Sequence, residues 1–171
     1  MNTAELARRA QAVATPETIE AFARDGAVCL RGLLNADEVA LLRSGIDANI
    51  ATPSPRAKVA SRADDPGFFI EDFCNWQDNA AYRGVIFDSP LAAAASLLMQ
   101  SSQVRLYHDH MLTKEPGTRQ RTPWHQDQPY YNVDGTQSAS MWFPVDPVSR
   151  SATLEFVAGT QVKMIGVAQH E

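Results

Sequence analysis

Residues 125–127 read His-Gln-Asp, which places two side chains of metal-ligand type two positions apart. Because successive side chains of an extended chain point to opposite faces, we expect His125 and Asp127 to point the same way. An imidazole nitrogen and a carboxylate oxygen on one face are two of the three ligands that hold non-haem Fe(II) and leave coordination positions open. The spacing therefore indicates two ligands of an iron site.

The neighbours of this pair distinguish a metal site from a simpler interpretation. A short His-x-Asp match also occurs where a surface histidine precedes a turn. Here Trp124 precedes the pair, and Pro129, Tyr130 and Tyr131 follow it. Two polar ligands among large apolar groups favour a site that excludes water from a reactive metal.

Further motifs around the pair carry a family resemblance. In chain order they are MLTKEPG at 111–117, WHQD at 124–127, YY at 130–131, MW at 141–142 and LEFVAGT at 154–160. Together they resemble the phytanoyl-CoA dioxygenase family of Fe(II)- and 2-oxoglutarate-dependent oxygenases. The resemblance implies a double-stranded β-helix, or cupin-like jelly roll. It also implies Fe(II) as the metal, 2-oxoglutarate and O2 as co-substrates, and hydroxylation of a small organic substrate.

The resemblance also implies a wall for the co-substrate. Positions that match Met111, Gln126 and Trp142 contact 2-oxoglutarate in the family. If residues 104–114 form a strand, Tyr107 shares a face with Met111. A phenol on that face is placed to hydrogen-bond a bound carboxylate, so Tyr107 joins the predicted wall.

Two residues bear on the reaction. Thr122 lies three residues before His125, and in halogenating relatives a threonine at this spacing donates its hydroxyl to a co-substrate carboxylate. Those relatives carry a small residue in place of the carboxylate ligand, which leaves room for a halide. With Asp127 present, the sequence favours hydroxylation.

Residues on the substrate side are predicted more coarsely. Tyr130, Tyr131 and the proline-containing loop at 52–66 are candidates to contact the substrate. A locally basic stretch permits an anionic substrate without requiring one. It contains Lys114, Arg119 and Arg121.

His108 and His110 offer a different metal site, of zinc or copper type. On a strand they would share a face opposite to that of Tyr107, Asp109 and Met111. The sequence favours structural or outward-facing roles for both histidines. A metal that survives Asp127→Ala would support the zinc or copper interpretation instead.

The third iron ligand of the family has no clear match. In the family it is a downstream histidine, followed by an arginine that pairs with the distal carboxylate of 2-oxoglutarate. After Asp127 the sequence has one histidine, His170, and its last arginine is Arg150. The residues around His170 do not resemble the family segment, so His170 is not assigned and distal barrel strands are expected to be missing. The alternative is a catalytically inactive cupin-like binding module, or a truncated family member.

Composition excludes several classes of partner. A net charge of −5 argues against nucleic acid and anionic membrane surfaces. No stretch approaches the roughly 20 apolar residues of a membrane span, and the N-terminus lacks a signal-peptide core. Cys29 and Cys74 have apolar neighbours, which predicts buried, reduced thiols. These features favour a cytoplasmic protein and leave the oligomeric state open.

The elements that must position the site predict an α+β chain forming one domain over 1–171. Residues 1–102 are expected to be mainly helical, and residues 103–171 to form the first part of the barrel. Helices are predicted at 4–14, at 82–87, at 90–99, from Pro16 to a stop at Gly26, and after a cap formed by Asn35 and Glu38. Strands are predicted at 27–30, 68–70, 104–114, 141–145 and 154–157.

Overall fold

Residues 2–161, which the computed structural model describes, form five α-helices and three β-strands. The helices are α1 (Thr3–Val13), α2 (Pro16–Asp25), α3 (Ala36–Ala51), α4 (Ala80–Asp88) and α5 (Leu91–Met99). The strands are β1 (Lys58–Val59), β2 (Phe69–Phe73) and β3 (His110–Lys114), and one 3-10 turn spans Gln128–Tyr130. The chain is therefore a mixed α+β structure, as predicted.

The first helices begin and end where the sequence signals place their ends. The Thr15 side chain accepts a hydrogen bond from the Thr18 amide at 3.3 Å, and Pro16 occupies the first turn of α2. Gly26 ends the helix in the left-handed conformation, with φ of 82°. This conformation carries no steric cost for glycine.

Helix α3 starts with a reciprocal capping box. The Glu38 amide donates to Asn35 Oδ1 at 2.9 Å, and the Asn35 amide donates to Glu38 Oε2 at 2.8 Å. The Glu38 carboxylate also receives both terminal nitrogens of Arg9, at 2.8 and 2.6 Å. A local helix cap and the docking of α1 thus share one carboxylate.

Two buried apolar clusters hold the helices and the sheet together. Ala10, Leu33 and Ala94 form the first, where α1 packs against α5. The second lies between the sheet and helices α3 and α4. It is centred on Ile70, Tyr82 and Met111.

A buried carboxylate fixes the chain between α3 and β1. Asp72 is fully buried and accepts hydrogen bonds from Asn49 Nδ2 at 2.8 Å and from the Ser54 amide and hydroxyl at 2.8 and 2.6 Å. Burial alone would raise the pKa of Asp72. The hydrogen bonds from Ser54 and Asn49 outweigh burial and hold the pKa well below its usual range.

The sheet has the order β1-β2-β3 with antiparallel pairing throughout. Its register runs from Phe69 opposite Lys114 to Phe73 opposite His110. Ile70 and Met111 lie on the face that packs on α3 and α4. The opposite face, called here the open face, carries alternate residues of β2 and β3. These are Phe69, Glu71, Phe73, His110, Leu112 and Lys114.

Several predicted strands are wrong over the described residues. Of the strand predicted at 104–114, only His110–Lys114 forms, because Cys74 adopts a φ of 57° and turns β2 out of the ladder beyond Phe73. Residues 27–30, 141–145 and 154–157 form no strand. A strand needs a neighbour for its backbone groups, and these segments have none among residues 2–161.

Two other sequence interpretations are corrected. The 52–66 segment is a loop interrupted by β1, whose Lys58 pairs with Glu71. Cys29 and Cys74 carry free thiols, but both residues are exposed, not buried as predicted. Over the described part of the chain, no helix is long and apolar enough to span a bilayer.

Candidate metal site

The side chains of His125 and Asp127 meet in an irregular segment between β3 and the 3-10 turn. Nε2 of His125 lies 3.2 Å from Oδ1 of Asp127, and both side chains are partly exposed. Asp127 directly precedes the turn in the right-handed helical region, and its carboxylate does not cap that turn. The structure therefore brings the pair together through a loop and not, as expected, along an extended strand.

The second ring nitrogen of His125 defines the state of the first. Nδ1 lies 2.8 Å from the carbonyl oxygen of Pro123. A carbonyl only accepts, so Nδ1 carries the hydrogen and, in a neutral ring, Nε2 presents a lone pair. That lone pair faces the Asp127 carboxylate, and a cation between them is required to balance the contact. Either a proton on the ring or a metal ion provides it.

The other oxygen of Asp127 has its own partners. Oδ2 accepts from Ser140 Oγ at 2.9 Å and from the Tyr131 hydroxyl at 3.4 Å. Burial raises the pKa of Tyr131, which keeps the phenol protonated as a donor. The ligand oxygens of metal sites are commonly oriented by such outer contacts. Ser140 had no sequence signal, because it lies 13 positions from Asp127 in a run of polar residues.

The spacing of the pair suits a shared ion. Around an octahedral ion with bonds of about 2.1 Å, adjacent ligand atoms are about 3 Å apart. The observed 3.2 Å between Nε2 and Oδ1 fits that separation. Among residues 2–161, however, no third His, Cys, Asp or Glu side chain completes a metal-binding group. His170 lies outside the described residues.

An aromatic group covers one side of Asp127. The ring of Tyr131 lies 5.3 Å from that of Tyr107 and 5.5 Å from that of His108. The Tyr107 hydroxyl accepts from the Asn132 amide at 3.2 Å. The expected alternation separated Tyr107 from His108, but both contact Tyr131 because residues 103–109 do not form a strand.

His110 has a separate environment. Its ring stacks on Phe73 with centroids 4.0 Å apart, and its Nε2 lies 3.4 Å from Oε2 of Glu71. Burial lowers the pKa of His110, which favours the neutral ring. Asp109, expected to face inward, accepts the Asn75 and Trp76 amides at 3.1 and 3.0 Å and orders the turn after β2.

A comparison with protein-family models gives one match, to Phytanoyl-CoA dioxygenase (PhyH), over residues 22–171. The chain belongs to the phytanoyl-CoA dioxygenase family. Searches of curated proteins and of solved structures return no significant match. Family members generally use Fe(II) and 2-oxoglutarate, so family membership supports a dioxygenase-type enzyme in general terms.

The four residues predicted to form the co-substrate wall of this family are dispersed. Tyr107 lies beside the Asp127 network through Tyr131. Met111 is buried on the helix-facing side of the sheet. The Gln126 amide donates to the Thr160 carbonyl at 2.8 Å, and Trp142 is half exposed. A shared wall formed by these four side chains stays a prediction.

The predicted basic stretch divides into separate environments. Arg119 pairs with Asp64 at 3.4 Å and with Asp65 at 3.7 Å, which ties the loop before β2 to the segment that leads to the site. Lys114 instead reaches Thr122, with Nζ 2.9 Å from Oγ1. The side chain of Lys114 therefore contacts the segment that carries the candidate metal ligands.

Proposed function

We propose that this chain is an Fe(II)- and 2-oxoglutarate-dependent dioxygenase that hydroxylates a small organic substrate, with O2 as the second co-substrate. His125 Nε2 and Asp127 Oδ1 would hold the iron. The observation that carries the proposal is the facing lone pairs of these two atoms at 3.2 Å. Each ligand side chain is fixed from behind, His125 by the Pro123 carbonyl and Asp127 by Ser140.

The residues of the chain supply position and charge at this site. Iron chelated by 2-oxoglutarate supplies the oxidising power when both are bound. Ser140 and Tyr131 keep the Asp127 carboxylate turned toward His125. The rings of Tyr107 and His108 contact Tyr131 and limit its movement. Tyr130, Tyr131 and the 52–66 loop remain candidates for contact with the substrate.

The finer features of the fold are part of the same proposal. The three-stranded sheet would be part of a double-stranded β-helix, with helices α3 and α4 packed on its outer side. Tyr107, Met111, Gln126 and Trp142 would line the co-substrate side in the loaded enzyme. We also propose a cytoplasmic location, supported by two free thiols.

An anaerobic titration tests the function directly. Adding 2-oxoglutarate to the protein with Fe(II) should produce the visible charge-transfer band of the chelate, and the band should saturate. Asp127→Ala should remove the band because it removes a ligand. Asp134→Ala, which changes an exposed carboxylate seven positions away, should leave it unchanged.

A second candidate is a cupin-like binding module without catalysis. The observation that favours it is the finding of two, and not three, candidate ligands within residues 2–161. A folded protein that shows neither the band nor 2-oxoglutarate-dependent O2 consumption would support the module. A bound metal that persists in Asp127→Ala would instead indicate a site that uses His108 and His110.

A further inference from the structure

Lys114 is a cation on the open face of the sheet. Its Nζ lies 2.9 Å from Thr122 Oγ1, 3.4 Å from the Gln120 carbonyl and 4.5 Å from the centroid of the Phe69 ring. Across residues 2–161 it forms no ion pair with a carboxylate. The nearest acidic influence is Glu71, which acts at longer range.

Other cations near this face are in different situations. Arg119 pairs with Asp64 and Asp65. Lys58 is exposed on β1, with its Nζ 5.6 Å from the centroid of the Phe73 ring. Lys114 is partly buried, and this burial lowers its pKa. Burial thus destabilises the ammonium, and an anion beside it would offset that cost.

The contact with Thr122 locates this cation relative to the metal pair. Thr122 lies three residues before His125, so their Cα atoms are at most about 10 Å apart. A small ligand with one end at His125 and Asp127 can therefore extend toward the ammonium. A hydroxyl beside the ammonium adds a second donor for an anionic oxygen.

We propose that Lys114, with Thr122 beside it, binds a carboxylate of an acidic ligand held at the His125 and Asp127 pair. This inference rests on the proposed function, under which the first source of the carboxylate is the end of 2-oxoglutarate remote from the metal. A carboxylate of the primary substrate has the same chemistry, and the experiment distinguishes the two sources.

The first measurement is protection of Lys114 from acetylation, read by mass spectrometry, with Lys58 of the same molecules as the internal control. The ligands, each with Fe(II) under anaerobic conditions, are 2-oxoglutarate and 2-oxopentanoate, which lacks the distal carboxylate. We expect 2-oxoglutarate to slow acetylation of Lys114 relative to Lys58 by at least about fivefold. 2-Oxopentanoate should not slow it.

The second measurement is affinity in matched variants. Lys114→Met should weaken binding of 2-oxoglutarate to the Fe(II) protein by about 10- to 100-fold, because it removes a charged hydrogen-bond donor. Lys114→Arg should recover part of that loss, and Lys58→Met should bind as the parent protein does. Binding of 2-oxopentanoate should be equal in all four proteins.

Each other outcome also decides the question. If 2-oxoglutarate binds equally to the parent and Lys114→Met, while hexanoate added to the loaded protein protects Lys114, the carboxylate comes from a second ligand and the site is supported. If the parent binds no Fe(II) and 2-oxoglutarate, the proposed function fails, and glutarate alone then tests Lys114. Protection by millimolar glutarate would support the carboxylate site. If no carboxylate protects Lys114, the assignment is overturned.

Discussion

Residues 2–114 and residues 115–161 are organised by different interactions. In the first region, capped helices and paired strands bury Ile70, Tyr82 and Met111 in a common core. The second region contains one 3-10 turn, and its large side chains are exposed, with Trp124 at 67 % and Phe156 at 67 %. The candidate metal ligands lie in the second region, on backbone that lacks helix or strand support.

Scattered side-chain contacts connect the second region to the first. Arg43 pairs with Asp146 at 2.5 Å, and the Gln137 amide donates to the Met99 carbonyl at 2.9 Å. The Gly159 amide donates to the Asp25 carbonyl at 3.0 Å. The difference teaches that changes in the first region should act on stability, whereas changes at the site should act on ligand binding.

The largest expected effect separates the two regions through Asp127. Asp127→Ala should lower 2-oxoglutarate-dependent hydroxylation by at least about 1,000-fold, because it removes a metal ligand. The free energy of unfolding should change by less than about 1 kcal/mol, because the carboxylate is half exposed. Succinate formation and urea denaturation measure the two effects. Turnover at the parent rate would remove Asp127 from the site.

The opposite pattern is expected at Asp72. Asp72→Asn should lower the free energy of unfolding by about 3 kcal/mol, since a buried amide presents donors to the donors of Ser54 and Asn49. Asp47→Asn, at an exposed position on α3, is the matched control and should change stability little. Fe(II) binding by the folded protein should persist in Asp72→Asn at low temperature. Equal denaturation midpoints for the two variants would contradict this assignment.

Acid should act through the same carboxylate. The folded-state pKa of Asp72 lies below the value of about 3.9 expected in the unfolded chain. Its stabilisation is therefore present above that value and declines as the pH falls toward the folded-state pKa. Urea midpoints measured from pH 7 to pH 3 should fall more steeply in the parent than in Asp72→Asn. Asp47→Asn should remain parallel to the parent, and identical slopes in all three would refute the linkage.

The smallest expected effect concerns the support of Asp127. Ser140→Ala should weaken divalent metal binding by about 10-fold, because the carboxylate loses its closest outer partner. Ser138→Ala, in the same polar run, should bind as the parent does. A Mn(II) titration followed by electron paramagnetic resonance provides the measurement without turnover. Unchanged affinity in Ser140→Ala would mean that Tyr131 alone positions the carboxylate.

The sequence predicted best what is decided locally. The caps at Thr15 and Asn35 and the stop at Gly26 depend on a few neighbouring residues, and all three form as predicted. The strands at 141–145 and 154–157 depended on partners elsewhere in the chain, and they are wrong over the described residues. A period-two pattern shows which face a strand would bury, but it does not supply the neighbouring strand.

The candidate site divides in the same way. His125 and Asp127 were predicted from residue type and spacing, and the structure places their polar atoms together. The contact between Ser140 and Asp127 joins residues 13 positions apart, and no short motif predicts it. The place of Lys114 beside Thr122 was likewise hidden, since the basic stretch gave no sign that Arg119 is neutralised and Lys114 is not.

The double role of Glu38 has a consequence for cooperativity. Its carboxylate closes the first turn of α3 and also holds Arg9 of α1. The pKa of Glu38 is lowered chiefly by the hydrogen bond from Arg9. Release of α1 would leave this acidic side chain without its counterion and loosen the first turn of α3. Amide hydrogens at the starts of these two helices should therefore exchange with solvent as one unit.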